Sequence, residues 1–254
     1  MKIAVLVNPV PATDSRVKLH ADGRHTDPAG VSVVVNPYDE FALEEALRLK
    51  EKAGEGEVVL LTVATSGAAP TIRNGLAMGA DRAVLLTTAE DPEPLQVARA
   101  LAAEVRSGGY DLVLCGKQAV DDDAQQVPAM LADLLGWPGV TVVAKLEVEG
   151  PVAPGTQALA HREIEGGIEE VRFALPAVVA AQKGLNEPRY ASLKGIMAAK
   201  KKPIDERPAE LGAAGLEIVS LTLPKEREGG RIVGEGAGAV ADLVRALREE
   251  AKVI

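Results

Sequence analysis

Apolar residues fall along this chain in short unbroken runs. Ile3–Val7, Val31–Val35, Val58–Val63, Ala83–Leu86, Asp111–Cys115 and Ala177–Ala181 each read as a strand. The runs are continuous rather than alternating, the pattern of strands covered on both faces. Helical spacing separates them. Asn36-Pro37-Tyr38-Asp39 supplies a cap, a proline for the first position and an acid for the first turn. Ala42, Leu43, Ala46 and Leu47 then repeat at the helical period, and Gly54 ends the element. A second helix is expected over Pro70–Met78. A third opens at Asp91-Pro92, carries Leu95, Ala98, Leu101, Ala102 and Val105 on one face, and stops at Gly108-Gly109. Strand–helix–strand repetition predicts an α/β fold, a parallel Rossmann-like sheet with helices on both sides.

The pattern then changes. Thr141–Val148, Thr156–Glu163 and Glu169–Phe173, with a turn at Gly166-Gly167, predict a small antiparallel excursion. After Pro203 the chain is richer in glycine and charge, with one clear helix near Ala239–Ala251. Such a tail buries too little to form its own core. The expected organisation is an α/β domain over 1–203 and a C-terminal arm over 204–254, which wraps onto that domain or onto a partner.

Composition narrows the class. Aromatic residues make up 2% of the chain, so the core must be built from Ala, Val, Leu and Ile. No apolar run reaches the roughly 18 residues needed to span a bilayer. The first residues, MKIAVLVNPV, are too short an apolar run for a signal peptide and read as a strand. The single cysteine, Cys115, excludes an internal disulfide and a cysteine-based metal cluster within one chain. A cytoplasmic protein is the expectation. The formal net charge of −9 argues against general nucleic-acid binding. That charge is uneven. Lys183, Arg189, Lys194, Lys200, Lys201 and Lys202 share the stretch from Lys183 to Lys202 with one acid, Glu187. A basic island on an acidic chain suggests an interaction surface.

The densest chemistry lies in CGKQAVDDDAQQVP, Cys115 to Pro128. Gly116 falls at the carboxyl end of a strand, where open α/β sheets bind ligands. Glycine admits a ligand close to the backbone, and N–H groups at a following helix start hold an anion. Pro128 must lie in the first turn of that helix, which places the helix start about one turn earlier. Asp121, Asp122 and Asp123 then sit at or before the helix N-terminus. Capping the helix and contacting a nucleotide are both open to them. Consecutive helical residues point about 100° apart, so three adjacent carboxylates do not converge on one metal ion without irregular backbone.

The remaining candidates are weaker. GEGAG, Gly234 to Gly238, lacks the further strand that a dinucleotide site requires and reads as a connector. Ser66-Gly67 precedes a helix and could touch phosphate, but the unit reads equally as an ordinary strand–helix–strand element ended by Gly79. His20, His25 and His161 sit in no nucleophile motif, and Cys115 reads as a small buried hydrophobe. In LNEPRYASLKGIMAAKKKPI, Pro188 fixes a turn, and a short helix over Ala191–Lys202 carries Leu193, Ile196 and Met197 among lysines. That combination suits docking onto an acidic protein partner.

Several stretches, in order from Val35 to Ile204, resemble the electron-transfer flavoprotein β-subunit family. They are VNPYDEFALEEALRLKEK, TIRNGLAMGADR, PLQVARALA, DLVLCGKQAVDDDAQQVPAMLADLLGWP, REIEGGIEEVRFALPAVVA and LNEPRYASLKGIMAAKKKPI. The resemblance implies a heterodimer with an α subunit that holds most of the redox FAD. It implies a structural AMP in this subunit. It also implies an electron carrier rather than an enzyme, with no catalytic residues. Electrons would come from flavoprotein dehydrogenases, such as acyl-CoA dehydrogenases, and pass to a membrane quinone oxidoreductase. Carried over by motif, the AMP contacts are Leu6, Asn36, Pro37, Tyr38, Asp39, Val63, Gly116, Lys117, Gln118, Ala119, Val120, Asp121, Asp122, Asp123, Ala124, Gln125, Gln126 and Val127. Leu6 and Val63 would contribute backbone or packing contacts. The recognition loop corresponds to 181–203, with Arg189, Tyr190, Leu193, Ile196 and Met197 facing the dehydrogenase and Leu193 as its apolar anchor. Glu163 matches an acid near the mobile FAD domain, and Tyr38 an aromatic near the flavin.

The chain departs from the family at three places. Asn8-Pro9 replaces a common lysine, Thr13 replaces an aromatic near the flavin, and Pro128 stands where others have no proline. Two alternatives follow. One is an electron-bifurcating form whose β subunit holds a second FAD. The other is a free-standing nucleotide-binding regulatory protein.

Overall fold

The computed structural model describes residues 1–89, 91–225 and 229–254. The chain runs through β1 (Lys2–Leu6), β2 (Pro9–Pro11), β3 (Val33–Val35), α1 (Pro37–Ala53), β4 (Glu57–Ala64), α2 (Ala69–Met78) and β5 (Arg82–Thr87). It continues through α3 (Pro94–Gly108), β6 (Leu112–Gly116), α4 (Val127–Leu135), β7 (Gly139–Val148), β8 (Gln157–Ile164), β9 (Gly167–Ala174) and β10 (Val178–Ala181). It ends with α5 (Leu193–Ala199), β11 (Ile204–Pro208) and α6 (Val240–Arg245).

One nine-stranded sheet has the order β11-β5-β4-β1-β6-β10-β7-β8-β9. Pairing is parallel from β11 to β7 and antiparallel across β7-β8-β9. The antiparallel excursion therefore extends the main sheet rather than standing apart from it. The chain builds outward from β1 to β4 and β5, then returns to lay β6 on the other side of β1. This reversal opens a crevice at the carboxyl ends of β1 and β6, the place where doubly wound sheets bind ligands.

Two apolar layers cover the sheet. Leu43 and Leu47 of α1 pack with Ile72 and Leu76 of α2 on one face. Leu101 and Val105 of α3 pack with Leu131 of α4 on the other. Ala, Val, Leu and Ile dominate both layers, as the low aromatic content requires.

Four expectations need correction. Val31–Val35 is not a covered strand of the main sheet. Only Val33–Val35 is extended, and it pairs with Pro9–Pro11 in a separate antiparallel ribbon. Prolines at 9 and 11 lack the N–H donors of a central strand, which suits them to a ribbon. The third helix opens at Pro94, not Asp91, because Glu93 and Gln96 form a reciprocal capping box. The helix bearing Pro128 begins at Val127, leaving the aspartates in a loop before it. The docking helix covers Leu193–Ala199, starting where the Ser192 hydroxyl caps the Gly195 N–H at 3.0 Å.

Two strands escaped the apolar pattern. β2 is three residues long, and β11 carries Asp205, Glu206 and Arg207. β11 sits at the sheet edge, where charge keeps the open backbone from pairing with another chain. The chain leaves the sheet only after Pro208. It then crosses α3, where Arg99 donates to the Ala213 carbonyl at 2.8 Å and the Gly215 N–H donates to Glu93 at 2.8 Å. Farther on, Leu216, Val219, Ile232 and Val253 are exposed. The terminal helix appears as α6 followed by a wider turn over Ala246–Glu250. Among the described residues, no helix is long and apolar enough to cross a membrane.

Candidate functional site

Asp39, in the first turn of α1, joins the two sides of the crevice. Its carboxylate accepts the Asn8 N–H at 2.8 Å, just beyond β1, and the Gly116 N–H at 2.8 Å, at the end of β6. The carboxylate is buried, and burial pushes its pKa up to about 7 although both N–H donors pull it down. Gly116 has no room for a side chain here. A Cβ at that position would lie 2.5 Å from Asp39 Oδ1 and 2.6 Å from Tyr38 Cβ. The glycine is thus required by close approach of α1.

Asn36 sits beside this clamp and is 1% exposed. Its Nδ2 donates to the Gln118 carbonyl at 2.8 Å, while its Oδ1 has no partner. It does not cap α1 with its side chain. A buried acceptor without a donor is uncommon. Asn36 therefore carries one acceptor that no protein group among the described residues uses.

The loop from Lys117 to Gln126 closes the crevice. Its base is held by the Lys117 N–H to the Ala181 carbonyl at 3.0 Å. The Lys117 ammonium lies 5.4 Å from the centre of the Tyr38 ring. Gln118 knits the loop, receiving a hydrogen bond from Gln125 Nε2 at 3.0 Å and donating to Asp123. Asp123 and Gln125 both take left-handed backbone, φ 51° and 56°. For residues with a Cβ this conformation is held against a local cost. Asp122 accepts the Ala124 N–H at 3.0 Å, a local turn. No side chain caps α4. The capping reading of the aspartates is therefore replaced by turn formation within the loop. Among the described residues, no cluster of three or more acidic, histidine or cysteine side chains is placed to hold a metal ion.

The structure joins Asn36 to Gln118, Tyr38 to Lys117 and Asp39 to Gly116, with the rest of the 117–126 loop following on from these contacts. Leu6 and Val63 lie buried at or near the carboxyl ends of β1 and β4. Asn8 stood out in the sequence only as a departure from the family and not as a site residue, because its contribution is a backbone N–H. Thr13 lies exposed in a turn beyond β2. Glu163 stands near the tip of the β8–β9 hairpin and accepts from Gln182 Nε2 at 2.8 Å. Cys115 is buried. His161 lies 3.8 Å from Glu147 and 3.7 Å from Glu170, and Asp22 lies beside His20 and His25, so each histidine sits against a local carboxylate.

The basic segment is tied down at both ends. Asn186 Nδ2 donates to the Phe41 carbonyl and to Glu45, each at 3.0 Å. Arg189 binds Glu44 at 2.7 Å and Glu51 at 2.5 Å, both on α1. Although burial pushes Glu44 up, Arg189 and Arg48 hold it below the usual carboxylate range. Arg189 is thus committed to the fold, in contrast to its neighbours. At the other end Lys202 donates to the Leu76 and Ala80 carbonyls at 3.0 and 2.5 Å, where α2 ends. Burial lowers its pKa. Arg73 donates to the Ala199 carbonyl at 2.6 Å. Between these ties Tyr190 is 99% exposed and Leu193 83% exposed, with Met197 and Ile196 beside them.

Gly195 sets the height of this face. A Cβ there would lie 2.3 Å from the Ala77 carbonyl oxygen of α2. Gly195→Ala is expected to lift α5 and destabilise the protein by about 1–3 kcal/mol, as overpacking does. Thermal unfolding, together with faster tryptic cleavage at Lys194, Lys200 and Lys201, checks this. An unchanged midpoint and unchanged cleavage would show that the close contact is not limiting.

Comparison with known proteins agrees with this architecture. The electron transfer flavoprotein domain profile matches residues 27–211. The chain is 44% identical to electron transfer flavoprotein subunit beta of Bradyrhizobium diazoefficiens, with all of both chains covered. It is 38% identical to the Bacillus subtilis protein of that name over the full length of both. It is 42% identical to the Homo sapiens protein of that name, covering 95% of this chain and 94% of the relative. The Asn36–Gly116 side of the switch point and the pinned basic segment lie inside that matched region, on a chain that belongs to the electron-transfer flavoprotein β-subunit family.

Proposed function

We propose that this chain binds AMP in the crevice and pairs with an FAD-bearing α subunit. The pair receives electrons from flavoprotein dehydrogenases of the acyl-CoA type and passes them to a membrane quinone oxidoreductase. The observation that carries the AMP reading is the buried, unpartnered Asn36 Oδ1 beside the Gly116 close approach. That acceptor fits an adenine amino group or a ribose hydroxyl. Backbone N–H groups of the 117–126 loop and the Lys117 ammonium would meet the phosphate, and the aspartates hold the loop's shape. AMP would serve as structure and FAD would supply the electron-transfer chemistry, so the chain acts as a carrier subunit rather than an enzyme. A cytoplasmic setting accompanies this reading.

The α subunit has a natural seat in this account. Apolar side chains of the arm, among them Leu216, Val219, Ile232 and Val253, are exposed. Covering them would stabilise the pair through apolar burial. Glu163, at a hairpin tip, would face the FAD-bearing part of that subunit.

Ligand counting tests the core of the reading. Denaturing the purified heterodimer should release one FAD and one AMP. Release of two FAD and no AMP would replace it with the bifurcating form. A chain that stays monomeric when co-expressed with the α subunit would instead favour a free-standing regulatory protein. The docking face has its own test. Leu193→Ala should lower electron uptake from a dehydrogenase by roughly tenfold, the scale of a central interface residue. FAD and AMP content should stay unchanged. Uptake at the parental rate would remove Leu193 from the interface.

A further inference from the structure

Resting on the docking reading above, we infer that Met197 is a reversible oxidation site through which hydrogen peroxide turns down electron uptake. Gly195 and Ala199 turn toward α2, where the Ala77 carbonyl meets Gly195 and Ala199 is 2% exposed. That rotation puts Leu193 and Met197, one helical turn apart, together on the outward face. Met197 is 62% exposed beside Leu193.

The chain's other sulfur-bearing residues are less exposed. Met1, Met78 and Met130 are partly covered, and Cys115 is buried. Burial, with the Asp39 carboxylate nearby, pushes the Cys115 thiol well above its ordinary pKa, so the reactive thiolate is suppressed. Oxidation by a small diffusible oxidant therefore falls first on Met197. The step is a two-electron oxygen transfer. A sulfur lone pair attacks one peroxide oxygen, an S–O bond forms and the O–O bond breaks. After proton transfer the second oxygen leaves as water. Sulfur is oxidised and peroxide reduced.

The product is a polar sulfoxide in the middle of an apolar patch, and reductases return it to the thioether. The proposed electron-transfer role supplies a chemical origin for the oxidant. A reduced flavin that gives two electrons to dioxygen yields hydrogen peroxide. Electron uptake would then fall when electrons leak to oxygen, and recover on sulfoxide reduction.

The test uses the intact heterodimer with a flavoprotein dehydrogenase at sub-saturating concentration. Peroxide is applied, quenched with catalase, and peptides are weighed. Met197 should gain one oxygen before Met1, Met78 or Met130. Uptake should fall at least fivefold and return after treatment with methionine sulfoxide reductases. Met197→Leu should keep its own untreated rate after peroxide. If that variant loses uptake as the parent does, or if oxidised Met197 leaves uptake unchanged, the inference is overturned. Leu193→Ala, measured alongside, separates the two levels. Reduced uptake there with an indifferent Met197 sulfoxide overturns only the oxidation site. Unchanged uptake in Leu193→Ala overturns the docking reading and this inference with it.

Discussion

Gly116→Ala is expected to lower the unfolding midpoint by about 5 °C or more and, on the AMP reading proposed above, to strip the nucleotide from the heterodimer. The added Cβ would sit 2.5 Å from Asp39 Oδ1, 2.6 Å from Tyr38 Cβ and 2.9 Å from the Tyr38 carbonyl carbon. Two of these atoms belong to or adjoin the α1 backbone, so no side-chain rotation relieves the overlap. Separating β6 from α1 would relieve it, but that stretches the hydrogen bond from the Gly116 N–H to Asp39. The same movement displaces Asn36 from the Gln118 carbonyl, which shapes the closing loop. Stability and nucleotide content should therefore fall together. AMP released per heterodimer and a thermal scan are the measurements. A variant with full AMP and a parental midpoint would show that the crevice tolerates a wider gap than its geometry suggests.

Asp39→Ala should destabilise the protein by about 2–5 kcal/mol, because two main-chain donors lose their acceptor at once. The Asn8 and Gly116 N–H groups would then lose their shared acceptor at the carboxyl ends of the paired strands β1 and β6. Asp39→Asn refines the test. Its single oxygen can accept one of the two N–H groups, while its amide confronts the other. The pH dependence carries a sign. In the folded chain burial pushes the Asp39 pKa up to about 7, from the 3.8 of a freely solvated aspartate. Between those values the folded state binds more protons than the unfolded state. The Asp39 contribution to stability is therefore fully present below about pH 4, declines as pH rises toward 7, and is flat above. Asp39→Asn lacks this decline. Denaturant titrations at pH 5 and pH 8 should show the gap between parent and Asp39→Asn narrowing as pH rises. A gap that widens would mean that the folded carboxylate is stabilised more than its burial allows.

The parallel core was legible because its signals are local. Val58–Val63 and Asp111–Cys115 announce covered strands through unbroken apolar runs, and Asn36-Pro37 announces α1. The crevice was half legible. Gly116 could be placed at a strand end, but Asp39 lies 77 positions away, and no spacing rule joins them. Arg189 and Glu44 are 145 positions apart, so sequence offered an exposed cation where the fold has a tie. The β11 strand failed for another reason. An edge strand needs charge to stay soluble, and charge erases the apolar pattern that reveals strands. The three aspartates misled because a turn and a helix cap prefer the same residues. Only the backbone, with Asp123 and Gln125 in left-handed conformation, separates the two.

The ties at Arg189 and Lys202 have a thermodynamic consequence for association. A loop that must order itself when a partner arrives loses conformational entropy at that moment, and the complex weakens accordingly. Here α1 and α2 already hold the segment at its two ends. The heat-capacity change on forming the complex should therefore scale with the apolar contact area alone, without the excess that marks coupled folding. Calorimetry across a range of temperatures would read that difference directly.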